Sequence, residues 1–185
     1  MRGAAKIAIL VLAAGKSRRF GAGNKLLSRY NGKPLAAHVA ASLQGLPFSF
    51  GVIVASDPSV AGLFRHTGLR PLFPKNSSTQ SQSLRAGLQY VKRRGASHAL
   101  LLLGDMPYVP RQHLRTMMAK AGPHPLMSHN GKSSLPPALI PQHLFGKLQH
   151  LHGDTGAGGI LMRHPSTVRL PLDSRQAVDV DTKTK

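Results

Sequence analysis

The chain has 185 residues, 41% of them hydrophobic, and no cysteine. That length suits one compact domain with an ordinary core, and the lack of cysteine excludes disulfides, thiolate metal sites and cysteine nucleophiles. Twenty-five Lys and Arg face six acids, all Asp, for a net charge of +19, so polyanions are the favoured partners.

No stretch approaches the roughly eighteen consecutive apolar residues of a membrane span. The basic Arg2 and Lys6 before an apolar run resemble a signal peptide, but the run is short and leads straight into a loop motif. The expected location is the cytoplasm. Aromatic residues make up 5% of the chain, without Trp, and none interleaves with a basic run. That composition argues against a dedicated nucleic-acid surface.

Ile7 to Leu12 reads as a buried parallel strand. It feeds the stretch Leu12-Ala-Ala-Gly-Lys-Ser-Arg-Arg-Phe-Gly-Ala-Gly-Asn-Lys25. Small residues such as Ala13, Ala14 and Gly15 let a backbone approach a ligand, and glycine turns successive N–H groups toward one point. Lys16, Arg18, Arg19 and Lys25 add positive charge around the same loop, with Ser17 among them. A strand running into such a loop suits a triphosphate. The Walker pattern fails, because Leu10 stands where its first glycine belongs. The Gly-x-Gly-x-x-Gly pattern fails too, since no glycine follows Gly15 until Gly21.

A helix is predicted over Pro34 to Leu43, a strand over Phe50 to Ala55, and a helix opening at Ser56-Asp57-Pro58. A short strand over Leu69 to Phe73 precedes a helix from Ser83 to Arg94 that is basic at its C-terminal end. His98 to Leu103 is a strongly buried strand, stopped by Gly104-Asp105-Met106-Pro107. Pro110 opens a helix to about Ala121. The second half holds a short strand at Pro125 to Ser128 and an edge strand at Pro136 to Ile140, since proline cannot donate to a ladder. Helices follow at Pro141 to Leu151 and Asp154 to Arg163, then short strands at Thr167 to Pro171 and Ala177 to Val180. Alternation of strand and helix predicts an α/β domain with helices on both faces of a mostly parallel sheet. The loops after Leu12, Ala55 and Leu103 then share one rim, where such sheets bind ligands.

Asp105 is the leading catalytic candidate: a lone carboxylate directly after four leucines sits on that rim. Magnesium prefers one or two protein carboxylates plus phosphate oxygens and waters. Asp179 and Asp181 form a second acidic point, and alternate strand residues face one side. The ten histidines show no metal-ligand spacing.

Leu-Ala-Ala-Gly-x-Ser-x-Arg-x-Gly, with Asn24-Lys25-Leu26-Leu27 and Gly32-Lys33-Pro34-Leu35, resembles the signature of the MobA-like nucleotidyltransferase family. Within it the chain is most similar to the molybdenum cofactor cytidylyltransferase group. The resemblance implies a Rossmann-like three-layer α/β/α fold, with Leu12 to Arg18 holding the triphosphate and Lys25 and Arg19 neutralising phosphate charge. Gly104-Asp105-Met106-Pro107 resembles the family's metal motif, and Asp179-Val-Asp181-Thr its C-terminal Asp-Ile-Asp-Thr. Asp105, Asp181 and Asp179 are thus the implied Mg²⁺ ligands. Ser83-Leu84-Arg85-Ala86-Gly87-Leu88 resembles the segment that contacts base and ribose, with Ser83 as the contact. Asp154-Thr155-Gly156-Ala157 resembles the motif beside the acceptor, which marks Asp154 and Gly156.

Three departures stand out: Gly158 replaces an arginine, Pro136 replaces a histidine, and the chain ends at Lys185 where the family continues into a helix. The implied activity is transfer of CMP from CTP to a molybdopterin-type acceptor, with release of pyrophosphate. The nearest alternative is the GTP-using guanylyl transfer. The departures support a rival of another class: a non-catalytic nucleotide-binding accessory factor for a molybdoenzyme. A nucleic-acid-binding reading rests on charge alone.

Overall fold

The computed structural model describes residues 5–15, 23–75, 79–153 and 156–180. Its frame is a seven-stranded sheet in the order β5-β4-β1-β6-β8-β7-β9. β1 (Ile7–Ala13) lies inside it, parallel to its two neighbours β4 (Phe50–Ala55) and β6 (His98–Leu103). β5 (Leu69–Leu72) extends the sheet beyond β4, again in parallel. These strands are runs of Ile, Val, Leu and Ala because both faces of β1 are covered. Ile7, Ile9, Val11 and Ala13 pack with one buried cluster, and Ala8, Leu10 and Leu12 with the other.

The first cluster is closed by α1 (Leu35–Leu43), α2 (Pro58–Gly62) and α4 (Arg111–Ala119). The second is closed by α3 (Gln80–Arg93), α5 (Phe145–Gln149) and α6 (Gly158–Arg163). Helices on both faces of a mostly parallel sheet define the Rossmann-like α/β fold that the alternation predicts.

Two short strands fall outside this frame. β2 (Arg29–Tyr30) and β3 (Lys33–Pro34) pair around Asn31-Gly32, both with positive φ, at 46° and 84°. This is the primed hairpin turn that Asn-Gly favours.

Past Asp105 the topology changes. β8 (Ser134–Pro141) runs antiparallel to both β6 and β7 (Leu126–His129), and β9 (Val168–Pro171) forms the sheet edge beside β7. The expected edge strand is therefore an interior one. Its prolines are tolerated because the pairing with β7 skips them: Met127 faces Ala138, and Ser128 then faces Leu135. Pro136 and Pro137 occupy that irregularity, so their missing donors fall outside the β7 ladder, while Pro141 stands at the strand's last residue opposite His98.

Other boundaries move for local reasons. α3 starts at Gln80, three residues early, because Thr79 and Gln82 form a reciprocal capping box. The helix expected over 141–151 is a 3₁₀ turn, Gln142–Leu144, followed by the short α5. Of the helix expected from Asp154, the described part is α6; residues 154 and 155 lie outside the described residues. The strand expected at 177–180 does not form. Val180 is buried, and its N–H donates to Asp105 O at 3.2 Å, so this segment crosses the end of β6 instead.

Candidate active site

β1, β4, β6 and β9 all end on the same rim, and the site is built where β1 and β6 stop side by side. Gly104 N–H donates to Leu12 O at 2.9 Å and continues their ladder one residue past β6. A Cβ on Gly104 would stand 3.2 Å from Ala13 Cβ and 3.4 Å from Leu12 O. Glycine here lets Asp105 follow the strand with its backbone pressed against the end of β1. Ala13 and Ala14 are buried, while a Cβ on Gly15 would meet nothing within 4 Å among the described residues.

Lys25 is the centre of the polar cluster. Its Nζ lies 3.0 Å from Asp105 Oδ2 and 3.6 Å from Asp179 Oδ1. The lysine is only 7% exposed, and an ammonium that deep requires charge partners. The two carboxylates lie 74 residues apart in the sequence, at positions 105 and 179. They meet because the segment around Val180 is bonded across Asp105.

What aims Lys25 is a relay not expected from the sequence. Lys25 opens a 3₁₀ turn, Lys25–Leu27, capped by Asn24, whose Oδ1 accepts from Leu26 N–H at 3.0 Å. Asn24 Nδ2 donates to Asp57 Oδ2 at 2.9 Å. Asp57 Oδ1 accepts from Ser59 N–H at 2.8 Å, so Asp57 also caps α2. The Asn24 amide, with the α2 backbone, holds the Asp57 carboxyl below the usual carboxylate range. One half-buried carboxylate thus ties the end of β4 to the turn that presents Lys25. Asn24 directly before the lysine, and Asp57 directly before Pro58, were the available signals.

A second tie joins the β2–β3 hairpin to the loop after Asp105. Asn31 Nδ2 donates to Tyr108 Oη at 2.9 Å, and Tyr108 donates to Tyr30 Oη at 2.8 Å. The Tyr108 hydroxyl pushes the Tyr30 phenol above its ordinary value, and burial adds to the effect.

Beyond β6, on the α3 and α6 side of the sheet, lies a cavity of about 230 Å³. Leu12, Leu103, Met127, Pro136, Gly156 and Gly158 are among its lining residues, with Gln80 as its polar one. A Cβ on Gly156 would come within 3.0 Å of Gln80 Oε1, so the glycine lets the segment lie against the start of α3. Ser81 N–H donates to Gly153 O at 3.3 Å beside it. Gly158 and Pro136, the positions where the sequence departs from the family pattern, both face this cavity.

Lys25, Asp105 and Asp179 are therefore brought together, and Leu12, Ala13, Ala14 and Gly104 form the rim beside them. Gly156 lies at the cavity. Ser83 is buried in the first turn of α3, and its hydroxyl donates to Thr79 O at 3.2 Å. Lys16, Ser17, Arg18, Arg19, Asp154 and Asp181 lie outside the described residues.

Among the described residues no three His, Cys, Asp or Glu side chains cluster as a metal cage. Asp105 and Asp179 converge on one cationic point, which is a two-carboxylate, all-oxygen donor set. Such a set fits a hard divalent cation that keeps phosphate and water ligands.

A seven-stranded α/β sheet with a lysine held between two carboxylates at its rim is the framework of a nucleotidyltransferase. The chain belongs to the family described as the MobA-like NTP transferase domain, whose model matches residues 9–168. Among solved structures it is similar to Rv0371c from Mycobacterium tuberculosis H37Rv, at 26% identity and a TM-score of 0.82, over 96% of this chain and 94% of that one. Rv0371c is also known in complex with manganese. The fold is shared with the nucleotidyl transferase Mth528 of Methanothermobacter thermautotroptrophicus, at 18% identity and a TM-score of 0.79, covering 96% and 92% of the two chains. It is shared too with a cytidylyltransferase from Leptospira borgpetersenii, at 15% identity and a TM-score of 0.72, covering 96% and 82%. No curated protein matches the chain by sequence.

Proposed function

We propose that this chain transfers a nucleoside monophosphate, CMP from CTP, to a phosphorylated acceptor of molybdopterin type, in the cytoplasm, and releases pyrophosphate. The observation that carries this reading is the buried Lys25 ammonium held between Asp105 and Asp179 at the end of β1 and β6. An acceptor phosphate oxygen attacks the α-phosphorus; the bond from that phosphorus to the bridging oxygen of the β-phosphate breaks, and pyrophosphate leaves.

The protein's task in such a reaction is alignment and charge neutralisation. Lys25, with Arg19, faces the phosphates, and the loop from Leu12 to Arg18 cradles them with backbone amides. Asp105 with Asp179 and Asp181 would hold Mg²⁺, which supplies Lewis-acid neutralisation of the triphosphate. Ser83 and the first turn of α3 border the base, and Asp154 and Gly156 border the acceptor. Asn24 and Asp57 are positioning residues that act through Lys25.

The test is pyrophosphate release from CTP, GTP, ATP and UTP, each with and without Mg²⁺, combined with thermal shift. Metal-dependent release specific to CTP, lost in Asp105→Asn, is the expected result. Specific release from GTP would reassign the base. Metal-dependent stabilisation without any release, equal in wild type and Asp105→Asn, would leave a nucleotide-binding accessory factor and overturn the enzymatic reading.

A further inference from the structure

The four described acids Asp57, Asp105, Asp173 and Asp179 share one end of the molecule. Asp57 follows β4, Asp105 follows β6 and Asp173 follows β9, three strands that run the same way, while Asp179 meets Asp105 at Lys25. The opposite end, where β1, β4 and β6 begin, is basic. Lys6 leads into β1, and the last turn of α3 and its cap carry Lys92, Arg93 and Arg94, all exposed. α4 ends at the same pole on the other face of the sheet, with exposed Lys120 at its C-cap.

These cations are drawn together rather than spread apart. Lys6 Nζ donates to Arg94 O at 2.8 Å. The Lys6 ammonium and the Arg94 guanidinium sit 5.5 and 5.2 Å from the centre of the Phe50 ring. A helix C-terminus favours a cation through its dipole. That preference accounts for the basic last turn of α3 and for Lys6 on the Arg94 carbonyl, but not for Lys6 and Arg94 sharing the Phe50 ring. Like charges packed this way raise the self-repulsion of a chain that already carries +19.

We infer that this basic pole is a docking surface for an acidic polypeptide segment of a partner protein, remote from the nucleotide rim. Charge complementarity selects the sign of the partner, and the rings select its class. Phe50 is covered by Lys6 and Arg94, and Tyr90 has Arg94 at 5.7 Å from its ring centre. Neither aromatic is free to act as a base-stacking platform, so single-stranded nucleic acid lacks the contacts it ordinarily uses. Carboxylates need only discrete cations, and the pole presents Lys6, anchored on the Arg94 carbonyl, beside the exposed Lys92, Arg93 and Arg94. The surface lies at the far end of the strands from Lys25, so a partner seated there leaves the nucleotide rim open.

The test is fluorescence anisotropy at physiological salt with two labelled probes of matched charge, an oligoglutamate peptide and a single-stranded RNA. The full chain is compared with Lys6→Gln/Lys92→Gln/Arg93→Gln/Arg94→Gln and with a control of equal charge, Lys33→Gln/Arg70→Gln/Lys75→Gln/Lys132→Gln. The peptide is expected to bind wild type and the control alike and to lose about tenfold or more in affinity at the pole variant. Equal losses in both variants would show bulk charge and overturn the proposal. Absence of peptide binding to wild type, or tighter RNA binding through the same four cations, would overturn it as well. Should the quadruple variant fail to fold, Lys92→Gln/Arg93→Gln alone, at exposed positions, is expected to give a smaller loss in the same direction.

Discussion

From Ile7 to Asp105 the chain lays four parallel strands side by side, whereas from Met106 onward it slips an antiparallel strand between β6 and β7. The first region brings backbones close. Glycines at 87 and 104 let α3 and the β6 exit press against β1, and the result is a fixed rim. The second region is held by a buried polar link instead. Ser128 Oγ donates to Pro137 O at 2.9 Å and sits 2.8 Å from His113 Nε2. With its proton already donated to the carbonyl, the hydroxyl accepts from His113, which places the imidazole proton on Nε2. The comparison teaches that the phosphate-handling half depends on close packing and charge. The other half depends on hydrogen bonds that steer an irregular strand.

The largest effect belongs to the charged rim. Asp105→Asn is expected to lower nucleotidyl transfer about 100-fold or more, since a bound metal supplies several kcal/mol of charge stabilisation. Its thermal midpoint should fall as well, because Asn removes one of the two charges that offset the buried Lys25 ammonium and leaves Asp179 as its ion partner. A full loss of stability with unchanged transfer would reverse the role assigned to the rim.

Packing in the first region comes next. A Cβ at Gly87 would overlap Leu10 Cδ1 and stand 3.2 Å from Val54 Cγ2, both buried side chains. Gly87→Val is expected to cost about 1–3 kcal/mol in denaturant unfolding, the usual range for overpacking. An unchanged midpoint would mean that α3 is free to move off the sheet.

The polar link makes the matching prediction for the second region. Ser128→Ala strands the buried His113 N–H and the Pro137 carbonyl, at a cost of about 1–3 kcal/mol. His113 also carries a pH signature, because burial pushes its imidazole below the ordinary value. The unfolded chain therefore takes up a proton near the normal histidine range while the folded chain does not. Folded stability should fall as pH drops below about 6.5. In His113→Gln that acid-side decline should flatten, and urea unfolding across pH 5 to 8 reads it.

How much of this was legible follows the same divide. β6 falls where the four leucines put it, and Asp105 reaches the rim, because a run of apolar residues ending in Gly-Asp leaves few other options. The Asn31-Gly32 turn carried its signal, but strands of two residues offer no periodicity to confirm it. β8 was misplaced to the edge because a proline rule about ladder donors cannot foresee an irregularity that removes the need for them. Asp179 was legible as an acidic point but not as a Lys25 contact. Its approach depends on Val180 bonding across Asp105, a pairing between distant segments. The Asn24–Asp57 link was hidden for the same reason.

That link gives the next, smaller test. Asn24→Ala removes the cap of the turn bearing Lys25, which costs about 1 kcal/mol where a cap is lost. Transfer should fall roughly tenfold through misaligned phosphates, with most of the change in kcat. Asn24→Asp keeps the cap oxygen but sets a second carboxylate against Asp57, so it should not restore activity. Full rescue by Asp would show that Asp57 does not orient this residue.

The smallest effect is expected where the two regions meet at the apolar cavity. A Cβ at Gly158 meets nothing within 4 Å among the described residues, and the residue opens α6, so none of these opposes a substitution there. Gly158→Ala should raise stability by a few tenths of a kcal/mol up to about 1, through helix propensity and a less flexible unfolded chain. Gly158→Arg should gain similarly and also set a guanidinium beside a cavity whose lining, among the described residues, carries no charge. If the acceptor presents a phosphate to this cavity, the arginine variant lowers the acceptor's KM while Gly158→Ala leaves it unchanged. If both variants gain stability and neither shifts KM, the cavity receives an uncharged part of the acceptor, and the phosphate is handled wholly by the Lys25 rim.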